Sequence, residues 1–213
     1  MTEKFYQERI KMIDQQIKRR GINDRKILDA FESVPRHEFV PEEYRELAYA
    51  DRPVPIGNNQ TISQPYIIAA MLIRLNLDED SSVLEVGSGC GYVLAILSQI
   101  VAQVYGIERQ SALAERSKRT INRLGYDNVE IKYGDGKLGW VEKSPFDGII
   151  VSAATSEVPE KLLAQLKIDG RMILPLGDSF LQKLVLYQKQ DTDDFARQKL
   201  EPVRFVPLVD GKS

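Results

Sequence analysis

A single cysteine, Cys90, and a single histidine, His37, stand among the 213 residues of this chain. One cysteine cannot close an internal disulfide, and one cysteine with one histidine and no clustered partner gives no metal site of ordinary ligand spacing. No metal is expected. Nor does one sign of charge dominate, since 29 Lys and Arg stand against 31 Asp and Glu, a formal net charge of −2. That balance offers no electrostatic footprint for a nucleic acid or an anionic membrane surface. Long apolar runs are missing too: Ile67 to Ile73 is far shorter than the roughly 18 to 20 residues of a membrane-spanning helix. The opening Met-Thr-Glu-Lys-Phe-Tyr-Gln-Glu-Arg lacks the apolar stretch of a secretory signal, so the expected compartment is the cytoplasm. With 43% hydrophobic residues the chain can bury a sizeable core. One domain over 1–213 is expected, with a monomer favoured.

Tyr6, Ile10, Ile13 and Ile17 recur at helical spacing, and Gly21 can end that helix. Asn23 can cap a second, short helix carrying Ile27, Leu28 and Phe31, which Pro35 stops. From Pro35 to Thr61, prolines 35, 41, 53 and 55 and Gly57 break any long element, so this part reads as an ordered, loop-rich cover. Residues 1–62 thus form a helical and loop-rich segment ahead of a core at 63–213. Ser63-Gln64-Pro65 reads as a helix start, with a hydroxyl cap and a proline in the first turn.

After it the pattern alternates. Strands are predicted at 82–86, 103–107, 128–132, 146–151 and 170–174, with helices at 92–100, 111–124 and 158–166. Apolar, β-branched strands separated by helices indicate a doubly wound α/β sheet, mostly parallel. Two more strands, 181–189 and 200–206, would complete seven, with at least one antiparallel edge strand.

Gly87, Gly89 and Gly91 follow the apolar strand Ser82–Val86 directly, allowing a tight turn and close approach of backbone to a ligand. A dinucleotide fingerprint would read Gly-x-Gly-x-x-Gly. Here the third glycine comes one residue early and Glu85 sits two before the first, which favours a nucleoside without a pyrophosphate. Glu108 ends the next strand, 21 residues after Gly87, where a carboxylate can accept from both ribose hydroxyls. Asp135, in Gly134-Asp135-Gly136, falls where a side chain could accept from an adenine amino group while Gly136 lets the ring lie close. Each feature alone could be an ordinary turn or a solvated strand end. Three of them at successive strand ends make an adenosine site, with Glu85 near a methionine end or a water-linked amino group.

Three stretches then carry a family resemblance: Val34-Pro35-Arg36-His37-Glu38-Phe39-Val40-Pro41, Pro55-Ile56-Gly57-Asn58-Asn59-Gln60-Thr61-Ile62-Ser63-Gln64-Pro65-Tyr66, and Pro145-Phe146-Asp147-Gly148-Ile149-Ile150-Val151-Ser152-Ala153-Ala154. With Gly134-Asp135-Gly136 and Gly139-Trp140, they closely resemble the protein-L-isoaspartate O-methyltransferase family over about residues 5–210. The resemblance implies a Rossmann-like methyltransferase fold and S-adenosylmethionine as cofactor. It also implies an activity, methylation of the free carboxyl of L-isoaspartyl residues in damaged proteins, whose esters then collapse to succinimides. Isoaspartyl peptides and proteins are the expected partners, and action on D-aspartyl residues is left open.

On this resemblance Ser63 is the catalytic residue. The cofactor would be held by Glu85, Gly87, Ser88, Gly89, Gly91, Glu108, Arg109, Asp135 and Gly136, and the substrate by Ile56, Gly57, Gln60, Thr61 and Val209. An ionised carboxyl needs no base, so Ser63 is expected to orient it. His37, Cys90 and Trp140 read as structural. The alternatives are a methyltransferase with another acceptor, an NAD-binding oxidoreductase, and a non-catalytic adenosine-binding module. The segment Gly57–Tyr66 and the glycine spacing argue against the first two.

Overall fold

The computed structural model describes residues 2–178, 180–209 and 211. Its centre is a seven-stranded sheet of β3 (Ser82–Val86), β4 (Gln103–Glu108), β5 (Val129–Tyr133), β6 (Phe146–Val151), β7 (Leu166–Gly177), β8 (Gln182–Lys189) and β9 (Phe195–Val203). Their spatial order is β5-β4-β3-β6-β7-β8-β9. The strands from β5 to β7 are parallel, and the reversal falls at β8, which pairs antiparallel with both β7 and the edge strand β9. The antiparallel strand expected at the edge is therefore second from it.

Helices α4 (Tyr92–Ser98), α5 (Ser111–Leu124) and α6 (Glu160–Ala164) make the crossovers. Side chains of a strand alternate between faces, so Val83 joins one hydrophobic core while Leu84 and Val86 join the other. Successive connections run outward from β3 to β4 and β5, then return to β6 on the other side of β3. That reversal opens a crevice beyond the carboxyl ends of β3, β4 and β6.

Helices α1 (Thr2–Met12), α2 (Arg25–Ser33) and α3 (Pro65–Leu75) pack on the first core. Three local expectations shift. Phe5, Met12, Ile13 and Ile17 are buried at the N-terminus, but Tyr6 is exposed, because α1 runs into a π-helical turn, Ile13–Ile17, that breaks the 3.6-residue phase. Asp24 rather than Asn23 caps α2, its carboxylate accepting from Ile27 N at 3.0 Å. At α3 the cap position is Gln64 and no side chain caps the helix, which leaves the Ser63 hydroxyl uncommitted to that task.

The loop-rich cover contains an unforeseen hairpin, β1 (Val54–Gly57) with β2 (Gln60–Ile62). Asn58 and Asn59 both take positive φ, 52° and 56°, the backbone of a two-residue turn matched to strand twist. Arg116 of α5 donates to the Ile56 carbonyl at 2.5 Å and ties the hairpin to the core.

Candidate active site

The loop after β3 is built from left-handed backbone, with φ of 78° at Gly87, 53° at Gly89 and 87° at Gly91. Gly87 N and Ser88 N both donate to the Ile107 carbonyl, at 2.8 and 3.1 Å, which locks the loop to β4. A Cβ at Gly89 would lie 3.2 Å from Ile56 Cδ1, so the hairpin closes directly over the loop. Gly91 serves packing: a Cβ there would overlap Ser117 Oγ of α5, and Gly91 lines no cavity described below.

Glu108 closes β4 with its carboxylate pinned from both sides. Oε2 accepts from Gly89 N at 2.9 Å and Oε1 from Gln110 N at 2.8 Å. A carboxylate oxygen has more than one acceptor position, so each keeps capacity for a ligand. Glu108 faces a cavity of about 260 Å³, shared with Gly87, Gly89, Ile107, Arg109 and Gly136. The hairpin residues Ile56, Asn59, Gln60 and Thr61 cover it, and the tail Val206–Val209 closes one side. Gly136 packs so tightly on Val86 that a Cβ would overlap it. Asp135 stands behind this wall and lines no cavity; its carboxylate accepts from Lys137 N at 3.0 Å and Gly211 N at 2.9 Å.

A second cavity of about 430 Å³ adjoins the first. Ser63, Gln64 and Ile67 line it on one side and Pro202–Val206 on another. Thr61, Ser152 and Val206 line both cavities and mark their junction. Below lies a void of about 30 Å³ reached by Ser63, Glu85, Ser88 and Ser152. Glu85 is 1% exposed there, and Ser152 Oγ donates to its Oε1 at 2.7 Å while Oε2 has no partner among the described residues. Burial pushes the Glu85 carboxyl up to about 8, opposed by the Ser152 hydrogen bond and reinforced by the charge of Glu108.

Of the expected substrate residues, Thr61 reaches the second cavity, whereas Ile56, Gln60 and Val209 line the first and Gly57 lines neither. Arg36 is a residue that sequence reasoning passed over as a site element. Fully buried, it donates from Nε to the Ala48 carbonyl at 2.6 Å and from Nη2 to the Ser63 carbonyl at 2.7 Å, with its guanidinium 4.8 Å from the Tyr92 ring centroid. It therefore holds Ser63 to the N-terminal cover. Ser152 was missed as well, although it directly follows β6 beside Glu85 at the switch point, a position topology alone could have flagged.

His37 stacks on Phe5 at 4.1 Å and shares a 2.8 Å hydrogen bond with the Tyr49 hydroxyl, outside both cavities. Burial raises the Cys90 thiol to about 11, an inert filler under the loop. Trp140 packs edge-on against Tyr105. Among the described residues no group of three or more His, Cys, Asp or Glu could hold a metal ion, and no helix is long and apolar enough to cross a membrane.

The model of the family protein-L-isoaspartate(D-aspartate) O-methyltransferase matches residues 7–213. The chain is 49% identical over 199 residues to the protein-L-isoaspartate O-methyltransferase 2 of Pelobacter propionicus, covering 93% of this chain and 88% of the relative. A protein-L-isoaspartate O-methyltransferase of Petrotoga mobilis is 48% identical over 206 residues, covering 96% and 97%. Among solved structures, a protein-L-isoaspartate O-methyltransferase aligns with a TM-score of 0.84 at 32% identity, over 97% of this chain and 65% of that one. A Plasmodium falciparum structure of that name in complex with S-adenosyl-L-homocysteine gives 0.83 at 29%, over 94% and 98%.

Proposed function

This chain belongs to the protein-L-isoaspartate(D-aspartate) O-methyltransferase family, and from that membership we propose how its two adjoining cavities divide the work of methyl transfer. The enzyme moves a methyl group from S-adenosylmethionine to the free carboxyl of L-isoaspartyl residues in damaged proteins. The smaller cavity takes the cofactor and the larger one the isoaspartyl residue. The observation that carries this division is the junction at Thr61, Ser152 and Val206, where a donor in one cavity and an acceptor in the other would meet.

The donor set suits the cofactor. Glu108, held by two backbone N–H groups, offers its remaining lone pairs to the ribose hydroxyls. Gly136 supplies a wall without a Cβ for the adenine, and Asp135 steadies that wall from behind through Lys137 N and Gly211 N. Gly87 and Gly89 let the backbone approach, Arg109 closes the rim, and Glu85 with its unpartnered oxygen lies nearest the amino-acid end. Ser88 and Gly91 hold the loop from below. Bound S-adenosylmethionine supplies an electrophilic methyl group on its sulfonium.

The rest falls to the acceptor side. A carboxyl with a reference pKa of about 3.9 is already ionised at neutral pH, so no general base is needed. The barrier lies in aligning that carboxylate and removing its water. The Ser63 hydroxyl, not engaged in capping α3, donates to one carboxylate oxygen and turns the other toward the junction. Ile56, Gln60 and Val209 shape the cofactor's cover, and Thr61 contacts both reactants. Gly57 acts through the turn that sets the hairpin.

Transfer of a labelled methyl group to paired peptides that differ only in aspartyl versus isoaspartyl linkage tests this function. Labelling of the isoaspartyl member alone is expected. Equal labelling of both, or of neither, would overturn it.

A further inference from the structure

We propose that the acceptor cavity continues into a second subsite, formed by Arg204 and Phe180, that contacts a residue beside the isoaspartate and favours an acidic one. The proposal rests on the acceptor assignment above and extends it to the neighbouring sequence of the substrate.

Val203 and Arg204 line the acceptor cavity and also a further cavity of about 190 Å³, whose other walls are Phe180 and Gln182. The two spaces therefore meet across one short stretch of chain. That stretch is held firmly: Gln182 Oε1 accepts from Phe205 N at 2.7 Å, Gln182 Nε2 donates to the Phe205 carbonyl at 3.3 Å, and Ala154 N donates to the Val206 carbonyl at 2.8 Å. Arg204 thus projects from a rigid rim. Its guanidinium makes no ion pair among the described residues, whereas Arg74 of α3 is paired with Glu201 of β9 at 3.1 Å.

Phe180 is 95% exposed and Leu181 63%. Asp178 Oδ1 accepts from the N–H groups of both, at 2.8 and 2.9 Å, which anchors their backbone. An aromatic ring so fully in water, beside a cation with no ion-pair partner among the described residues, forms a surface with one apolar and one basic contact.

The occupant is the acceptor peptide itself. An extended chain advances about 3.3 to 3.6 Å per residue, so a peptide with its free isoaspartyl carboxyl at Ser63 must pass over adjoining surface. The cavity continuous with that site is the one Arg204 borders, and a cation selects an anionic side chain by charge.

The test compares kcat/KM, at saturating S-adenosylmethionine, for isoaspartyl peptides carrying Glu, Gln or Lys at each position flanking the isoaspartate. The protein should prefer Glu over Lys at one of those positions by about two- to fivefold, the range of an exposed ion pair, with the difference shrinking as salt rises. Arg204→Met should flatten the preference and Arg204→Glu should reverse it, while Phe180→Ser should raise KM for peptides with an apolar neighbour. Methylation of isoaspartyl peptides with no charge preference would overturn the subsite and leave the enzyme's function standing. An equal loss for every peptide in Arg204→Met would also overturn it, placing the cation on the acceptor carboxylate instead. Failure to methylate any isoaspartyl peptide would remove the function and the subsite together.

Discussion

The Ser152 hydroxyl donates to Glu85 Oε1 at 2.7 Å, joining a residue that lines both large cavities to a carboxyl that is 1% exposed. β3 and β6 run side by side in parallel register, Val86 opposite Val151, so the residues at their carboxyl ends are brought together. A buried acid here is costly to ionise, and the Ser152 side chain that donates to it faces both cavities.

Glu85 binds its proton more tightly when folded, at about 8, than at its ordinary 4.5. Between those values the folded state carries the extra proton, so stability should fall as pH rises from about 4.5 to about 8 and level off above. In Glu85→Gln this contribution is absent. Melting temperatures of the cofactor-free proteins across that window should drop more steeply for the native sequence, by on the order of a few kcal/mol in stability at most. Parallel curves would contradict the assignment.

Ser63→Ala removes a hydroxyl that does not cap α3, so the fold should survive it. Loss of a hydrogen bond to a charged acceptor is worth about 1.5 to 3 kcal/mol, or roughly ten- to a hundredfold in kcat/KM. Cofactor affinity by calorimetry should barely change. Equal losses in both would remove Ser63 from the acceptor side.

Glu108→Gln should act on the other cavity. The amide retains one acceptor oxygen, so it cannot accept both Gly89 N and Gln110 N as the carboxylate does. Cofactor binding is expected to weaken by about ten- to a hundredfold, with kcat at saturation less affected. Unchanged affinity in a calorimetric titration would mean that the ribose is held elsewhere.

Gly136→Ala and Gly91→Ala should separate two kinds of glycine. The added methyl at 136 meets Val86 behind the cofactor wall, while that at 91 meets Ser117 of α5 and also forces a side chain into a left-handed backbone. Both should lose about 1 to 3 kcal/mol of stability. Only Gly136→Ala is expected to weaken cofactor binding beyond what its stability loss explains, since only Gly136 lines the cavity.

The alternation of β3 to β7 with α4, α5 and α6 was legible because each strand is a compact apolar run and each crossover helix carries its own period. The glycine loop and Glu108 were legible for a related reason: one is local backbone geometry and the other a fixed distance along a strand–helix–strand unit. The hairpin was hidden by Pro53, Pro55 and Gly57, which read as breakers, although Asn58-Asn59 between short apolar segments is a turn signal. Arg36 was hidden by its charge. A buried cation becomes favourable only when carbonyls distant in sequence, here those of Ala48 and Ser63, converge on it.

What the sequence determined by itself was what short-range order carries: the α/β alternation, the glycine turn after β3, and the carboxylate at the end of β4, Glu108. Tertiary structure alone decided that Val206–Val209 closes the smaller cavity, that β8 rather than the edge strand runs in reverse, and that Ser152 stands where the two cavities meet. These are contacts between segments that are far apart along the chain. Local propensity has no bearing on them, and they arise only when the sheet's order brings the carboxyl ends of β3, β4 and β6 to one crevice.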